Sequence, residues 1–379
     1  MECSRCLFDS RVPNIKFNEQ GVCNFCLLQE KMDREYPHLS GDAEHRRIQQ
    51  LVSRIRKSGR NKKYDCLVPL SGGSDSCYAL YLAKKAGLRP LAYNINNGWA
   101  SETARSNILK IISKLEVPLK RLEYPGDGWR ELYLAALKAS IPEVCLPCQI
   151  ATYASMYMVA AQENIRYVLF GLSPRTEGIG PLRWGYADSR YLKAIAEKFA
   201  GEAGKALAQR VGRIAPWDML YYILIKQIKI IQVPVYFDWD DTKIRDILAR
   251  ECDWVDGGGH HFYCIYNPVQ RLVFKEKTGV DPKVINYAAM VRSGKLSRED
   301  ARRCLHENNA PRDYARFEEV LGSLGVSLDE FNALLAADTK SFLEYKTYYS
   351  MIKKAKPVIK LLSRLHLLPE TAYYKFFEC

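Results

Sequence analysis

The sequence predicts an α/β fold, a parallel sheet with helices on both faces, and three observations predict it. From Tyr64 onward, apolar runs of strand length alternate with longer segments whose apolar residues recur at helical spacing. The first of these runs ends in a glycine-bearing turn, Ser71-Gly72-Gly73-Ser74-Asp75-Ser76, that leads into a helix. Hydrophobic residues make up 47% and charged residues 26% of the 379, ordinary for a folded chain holding one large domain with additions, or two domains.

Four segments follow one another. Residues 1–30 form a cysteine-rich module with Cys3, Cys6, Cys23 and Cys26, and residues 31–63 read as a basic helical connector with Ile48, Leu51, Val52 and Ile55 on one face. Residues 64–284 carry the α/β pattern. Strands are expected at 64–70, 90–95, 119–123 and 166–170, with helices at 76–86, 103–115 and 151–162. The helix at 103–115 places Ile108, Ile111, Ile112 and Leu115 on one face. The polar stretch 173–188 reads as an active-site loop. The most apolar long stretch, 219–237, is interrupted by Lys226, Gln227 and Lys229. It is therefore expected as a buried helix running into a strand at 233–238, not as a membrane span. Residues 285–379 read as a helical tail, with a helix start signalled by Ser297-Arg-Glu-Asp300. The chain opens Met-Glu-Cys with no apolar leader, so a cytoplasmic protein is expected.

The chemistry is concentrated at the first turn. Glycines at 72 and 73 let the backbone bend tightly and bring its N–H groups toward an anion, and the following helix adds a positive end. Ser71, Ser74 and Ser76 add hydroxyls, while Asp75 is suited to orienting the loop or to helping hold a divalent cation. The spacing is not that of a Walker A loop. Asn97 and Gly171, each following an expected strand, are candidates for contact with the rest of a nucleotide. The net charge of +13 favours anionic partners, which include nucleic acid, nucleotide-sugars and ATP alike.

Cysteine spacing points to metal. Cys3-x2-Cys6 and Cys23-x2-Cys26 match a four-thiolate zinc site, which would staple a module too short to have its own core. Cys145-Leu-Pro-Cys148 lies just before the expected helix at 151–162, where a helix start favours thiolates as soft-metal ligands. His260 and His261 follow three glycines and are candidates for acid–base work, phosphate binding or metal ligation. Asp240 and Asp241, with Asp238, are read as the cap of a helix starting near Thr242.

The loop 71–76 resembles the SGGxDS loop of the PP-loop ATP pyrophosphatases, or adenine nucleotide α-hydrolases. That resemblance implies a doubly wound sheet, ATP with Mg2+, and release of pyrophosphate with AMP left on the substrate. Catalytic roles would fall to Ser74 and Asp75, and, if the histidine loop joins them, to His260 and His261. Within that superfamily the chain looks like the N-acetyl sugar amidotransferases, which form acetamidino groups on lipopolysaccharide and flagellin sugars. The resemblance rests on the segment around Cys3–Cys26, on 64–76, Asn97-Gly-Trp99, Tyr236-Phe-Asp-Trp239, 257–261 and 277–298. It departs at Gly259-His260, where a lysine is usual, and at Asp281-Pro-Lys283. It implies a nucleotide-linked N-acetyl amino sugar as substrate, and separate glutaminase and synthase-like partners that supply ammonia. An alternative in the same superfamily is an iron–sulfur-dependent tRNA sulfurtransferase, in which the CxxC and one distant cysteine hold a cluster. The strand expected at 233–238 has no cysteine, and neither Cys252 nor Cys264 falls at its end.

Overall fold

Five parallel strands form the sheet: β1 (Cys66–Pro69), β2 (Pro90–Asn96), β3 (Leu119–Glu123), β4 (Tyr167–Phe170) and β5 (Lys229–Gln232). They lie in the order β3-β2-β1-β4-β5. The computed structural model describes all of the 379 residues except 36, 38, 40, 173–176, 238, 258–262, 308–311, 366, 369 and 379. The chain runs outward from β1 through β2 to β3, then returns to place β4 on the other side of β1. The sheet is doubly wound as expected, and its switch point lies between β1 and β4.

The helices preceding β4 are α1 (Asn24–Glu35), α2 (Gly41–Ser58), α3 (Ser74–Lys85), α4 (Glu102–Lys114), α5 (Gly126–Lys138) and α6 (Leu146–Gln162). Strand alternation divides the core between the two faces. Cys66 and Val68 point toward α3, α4 and the helix Asp241–Cys252, joined by Ile55 of α2. Leu67, Leu91, Tyr93 and Val168 point the other way, onto Met156, Tyr157, Val159 and Ala160 of α6. Helix α5 packs outside α6 through Trp129, Leu132, Tyr133 and Ala136.

Three boundaries differ from expectation, each for a local reason. Helix α3 starts at Ser74 rather than 76, so half of the serine loop is helix. Helix α6 starts at Leu146 rather than 151, because Pro147 sits in its first turn, where a missing N–H costs nothing. The fifth strand is 229–232, and the expected strand at 233–238 is instead a 3-10 turn, Val233–Val235, at Pro234, which cannot donate to a ladder. The apolar stretch before it is not buried as expected: it forms a short helix and a π turn, Tyr221–Ile225, in which Ile223 alone is buried. Leu220, Tyr221, Leu224 and Ile225 are exposed there, just before the edge strand β5. Helix α5 was not anticipated.

The Cys-rich module is not a separate body. Cys3, Phe8, Phe25 and Cys26 share a core with Phe274, Val284, Ala288 and Ala301, from helices of the C-terminal half. Arg298 binds the carbonyls of Cys3 and Cys6 (2.6 and 3.2 Å). Its helix, Arg298–Glu307, starts where expected, with Ser297 Oγ accepting from the Asp300 N–H at 3.0 Å. Asp240 caps the helix Asp241–Cys252 through the N–H groups of Thr242 and Lys243, as read from sequence; Asp238 lies outside the described residues. Among the described residues no helix is long and apolar enough to cross a membrane.

Candidate active site

The loop after β1 is held from three sides. Gly72 has φ +85°, and a Cβ there would lie 2.3 Å from the Ala104 carbonyl oxygen, so only glycine lets the loop rest on α4. The Gly72 carbonyl accepts from Asn107 Nδ2 at 3.2 Å and from Trp254 Nε1 at 3.0 Å. Asn107 is itself buried and also pairs with both backbone groups of Val255, at 2.8 and 2.9 Å. Inside the loop, Ser76 Oγ accepts from the Ser71 N–H at 3.1 Å, lies 3.0 Å from Ser71 Oγ, and donates to the Gly73 carbonyl at 3.1 Å.

Gly73 is the N-cap of α3 and supplies no side-chain cap. The first N–H groups of α3 therefore keep their capacity for an anion, at the positive end of a 12-residue helix. Asp75, expected either to orient the loop or to help hold a divalent cation, is buried, and its Oδ1 accepts from Trp239 Nε1 at 2.8 Å. This carboxylate anchors the helix start to the segment after β5. Gly171, after β4, is pressed against the same turn: a Cβ would lie 2.5 Å from the Asp75 carbonyl oxygen and 3.0 Å from the Ser76 nitrogen. The structure thus brings Ser71, Gly72, Gly73, Ser74, Asp75, Ser76 and Gly171 together at the switch point, the usual place for a nucleotide in this architecture.

His260 and His261 lie outside the described residues. Their flanks are described: the Tyr263 ring would lie 3.3 Å from a Cβ at Gly73, and Tyr263 Oη accepts from the Gly257 N–H at 3.1 Å.

Asn97 is turned toward the mid-chain cysteines. Its Nδ2 donates to Cys148 Sγ at 3.1 Å and to Tyr133 Oη at 3.3 Å, and its Oδ1 accepts from the Trp99 N–H at 3.0 Å. Cys145 is the N-cap of α6 and Cys148 lies in its first turn, so the pair forms the helix start and does not precede it. Cys264, set aside on sequence, joins them. A bridge pairs it with Ala100, flanked by bonds from Ser101 N–H to Tyr263 O (2.9 Å) and from Ile265 N–H to Trp99 O (2.8 Å). Burial pushes all three thiols up, Cys264 to about 12, and each is raised further by another of the group or by Glu143. The true fifth strand, 229–232, also carries no cysteine; the third thiol arrives from a loop that pairs with the segment after β2.

Beyond β2 and β3 an open cavity of about 840 Å³ is lined by Asn96, Asn97, Arg105, Tyr124, Trp129 and Arg130 among others. It lies at the starts of α4 and α5. Asn97 is shared between this cavity and the cysteine group.

The N-terminal thiols are arranged for one ion. Neighbouring sulfurs are 3.6 to 3.8 Å apart, and all four residues are buried. A tetrahedral ion at ~2.3 Å from each sulfur sets them ~3.8 Å apart, so the donor set fits zinc. Hydrogen bonds among the four thiols pull Cys3 and Cys6 below the ordinary range and leave Cys23 and Cys26 above it, so the four titrate as one coupled group. Arg292 Nη2 donates to Cys6 Sγ at 3.4 Å, offsetting the negative charge of such a site.

Sequence reasoning missed Asn107, Trp239 and Trp254 as supports of the loop. Only Asn107 carried a signal, because it falls on the helix face of Ile111 and Leu115, where an amide needs buried partners.

With this geometry in view, comparison with known proteins adds three findings. Residues 260–356 match the WbpG-like C-terminal domain of LPS biosynthesis proteins. The chain is also similar to Uncharacterized protein MJ1599 of Methanocaldococcus jannaschii, 24% identical over 324 residues, covering 84% of this chain and 98% of that protein. Among solved structures, the NH3-dependent NAD synthetase of Campylobacter jejuni, in complex with a nitrate ion, aligns at 14% identity with a TM-score of 0.29, over 55% of this chain and 93% of its own.

Proposed function

We propose that this chain is an ATP-dependent, AMP-forming amidotransferase that converts an N-acetyl group of a nucleotide-linked amino sugar into an acetamidino group during surface-polysaccharide synthesis. The observation that carries the reading is the match of residues 260–356 to a lipopolysaccharide-biosynthesis domain, in a chain whose sheet presents an uncapped serine-rich helix start at its switch point. Neither half suffices alone: the loop speaks for a phosphate ligand and the match for the pathway class.

In this reading the α3 N–H groups bind the phosphates of ATP, and the Ser71 and Ser76 hydroxyls hold the loop in shape around them. The amide oxygen of the sugar's N-acetyl group attacks the α-phosphorus, and the bond to pyrophosphate breaks. Ammonia then adds to the adenylated carbon, and AMP leaves with the former amide oxygen. Magnesium would be held mainly by the nucleotide phosphates, which is the usual pattern for this ion. Arg105 and Arg130 in the open cavity suit the anionic part of a nucleotide-sugar, and the rings of Tyr124 and Trp129 suit a sugar face. Ammonia would come from glutaminase and synthase-like partner proteins.

A second reading, a tRNA sulfurtransferase of the same superfamily, is favoured by one observation, the approach of Cys264 to Cys145 and Cys148. One assay separates the two. Pyrophosphate and AMP release from ATP is followed with ammonium present, comparing UDP-linked N-acetylated sugars with bulk tRNA. Stimulation by a sugar, with NH replacing O in the product mass, is expected. Stimulation by tRNA alone overturns the amidotransferase. The double variant Ser74→Ala, Asp75→Ala should abolish pyrophosphate release and keep its zinc; retained release removes the loop from the mechanism.

A further inference from the structure

We propose that this protein docks on the surface of an anionic lipid bilayer, through an apolar and basic face built from its C-terminal helices and the segment before β5. Two stretches far apart in the chain make this face. In the first, the helices Tyr349–Lys354 and Lys356–Arg364, with Leu365 just after them, expose Met351, Val358, Leu361 and Leu365. Val358, Leu361 and Leu365 recur at i, i+3 and i+7 and so line one side of the helix, with Met351 seven residues before Val358. A different side faces inward: Leu362 is buried, and Ile359 packs on the cluster of Tyr373 and Tyr374. The helix is thus anchored along one side while an aliphatic stripe beside it stays in solvent.

The second stretch is Trp217, Leu220, Tyr221, Leu224 and Ile225, again exposed. The two stretches meet. The Trp217 ring stands edge-on to the Tyr348 ring, 5.4 Å away, and Tyr348 leads into the helix Tyr349–Lys354. Contiguous apolar surface of this kind marks an interaction site.

Charge decides what covers it. From Tyr345 to Pro369 the chain has no Asp or Glu, while Lys346, Lys353, Lys354, Lys356, Lys360 and Arg364 fall within that span and are exposed. Lys226 and Lys229 add to this beside the second stretch. The acid there, Asp218, is engaged locally, its carboxylate accepting from the Ala215 N–H at 2.7 Å. A second copy of the chain would set like charges against one another, which costs affinity. Nucleic acid would pair with the lysines but leave the aliphatic side chains without an apolar partner. An anionic bilayer suits both: aliphatic side chains enter the acyl boundary, lysines reach the headgroups, and Trp and Tyr favour the interface.

The test mixes the full chain with vesicles of phosphatidylcholine, alone or with phosphatidylglycerol, and reads binding by flotation. We expect binding to the mixed vesicles, weakened by salt, and little to the neutral ones. Val358→Ser with Leu361→Ser should weaken it roughly tenfold or more, and Lys353→Gln with Lys360→Gln roughly twentyfold. Leu109→Ser, at an exposed leucine of α4, should bind as the wild type does. Trp217 supplies an internal probe, because it is 58% exposed while the other five tryptophans are buried. Brominated lipid should quench the wild type's tryptophan emission, and Trp217→Phe should lose that quenching. Unchanged zinc content and melting temperature show that each variant is folded; if one is not, quenching of the wild type decides. The proposal is overturned by no wild-type flotation, by equal flotation on both lipids, or by wild-type flotation of the Val358, Leu361 double variant. Quenching that persists in Trp217→Phe overturns it as well. So does a dimer or a tRNA complex that these variants abolish in the absence of any vesicle binding. No readout involves ATP, ammonia or a sugar, so failure here is distinguishable from failure of the amidotransferase reading.

Discussion

Adding one methyl group at Gly171 would test whether the end of β4 holds the phosphate loop in place. A Cβ there would sit 2.5 Å from the Asp75 carbonyl oxygen and 2.7 Å from its carbon, where ordinary contact begins at 3.4 Å. The overlap is about 0.9 Å against rigid backbone in the first turn of α3, so a rotamer change cannot relieve it. Either β4 or the helix start must move by nearly that distance. Overpacking of this kind costs ~1–3 kcal/mol in stability. Displacement of a binding loop by ~1 Å costs on the order of 100-fold in rate. Gly171→Ala should therefore lower the melting temperature modestly and reduce ATP-dependent pyrophosphate release far more, with zinc content unchanged. Calorimetric titration with ATP and a pyrophosphate assay read the two effects. Wild-type affinity and wild-type release in Gly171→Ala would refute the close approach of β4 to the loop, and with it the placement of the nucleotide.

Further outcomes follow from named contacts. Trp239→Phe removes one donor to buried Asp75 and should weaken ATP binding about tenfold, a hydrogen bond to a charged group being worth ~1.5–3 kcal/mol, measured by titration. Asn107→Leu removes the bridge between Gly72 and Val255 and should weaken ATP binding while leaving the sheet's circular dichroism unchanged. Cys3→Ser should lose zinc and lower the melting temperature, since metal binding at such sites is folding energy, ~10 kcal/mol or more in small zinc modules; zinc content and a thermal melt check it. Glu251 is held down to about 2 by the Tyr81 hydroxyl first and then by Lys85. Because its folded value is depressed, its contribution is present above pH 4.5 and is lost as pH falls toward 2. Melts of wild type and Glu251→Gln should therefore differ at neutral pH and converge in acid.

How much could be read in advance varies from element to element. Strands β1, β2 and β4 were legible because each is a short, largely apolar run bounded by turn residues, whereas β3, Leu119-Lys-Arg-Leu-Glu123, alternates apolar with charged residues only in part. Strand β5 was not, since Lys229-Ile-Ile-Gln232 is polar at both ends and abuts the more apolar 233–237, which Pro234 diverts into a turn. Helix α5 escaped notice although its apolar residues are buried, because Gly126, Asp127 and Gly128 at its start read as loop. The serine loop was legible as a glycine-bearing turn into a helix, yet its supports were not. Trp239 and Trp254 lie 164 and 182 residues along the chain from the groups they bind.

What the sequence by itself determined was chemistry with local spacing. Two CxxC pairs define a four-thiol group, and SGGSDS between a strand and a helix defines a tight turn into a helix start, because each motif lies within a short stretch of chain. Only the tertiary structure decided which distant groups complete those motifs. Asp75 turned inward to Trp239, Gly171 came to touch the loop, and Cys264 joined Cys145 and Cys148 across more than a hundred residues. The physical reason is that such meetings depend on the order of strands and on how loops pack against them. Those are set by burial summed over the whole core, a quantity that no short window of sequence contains.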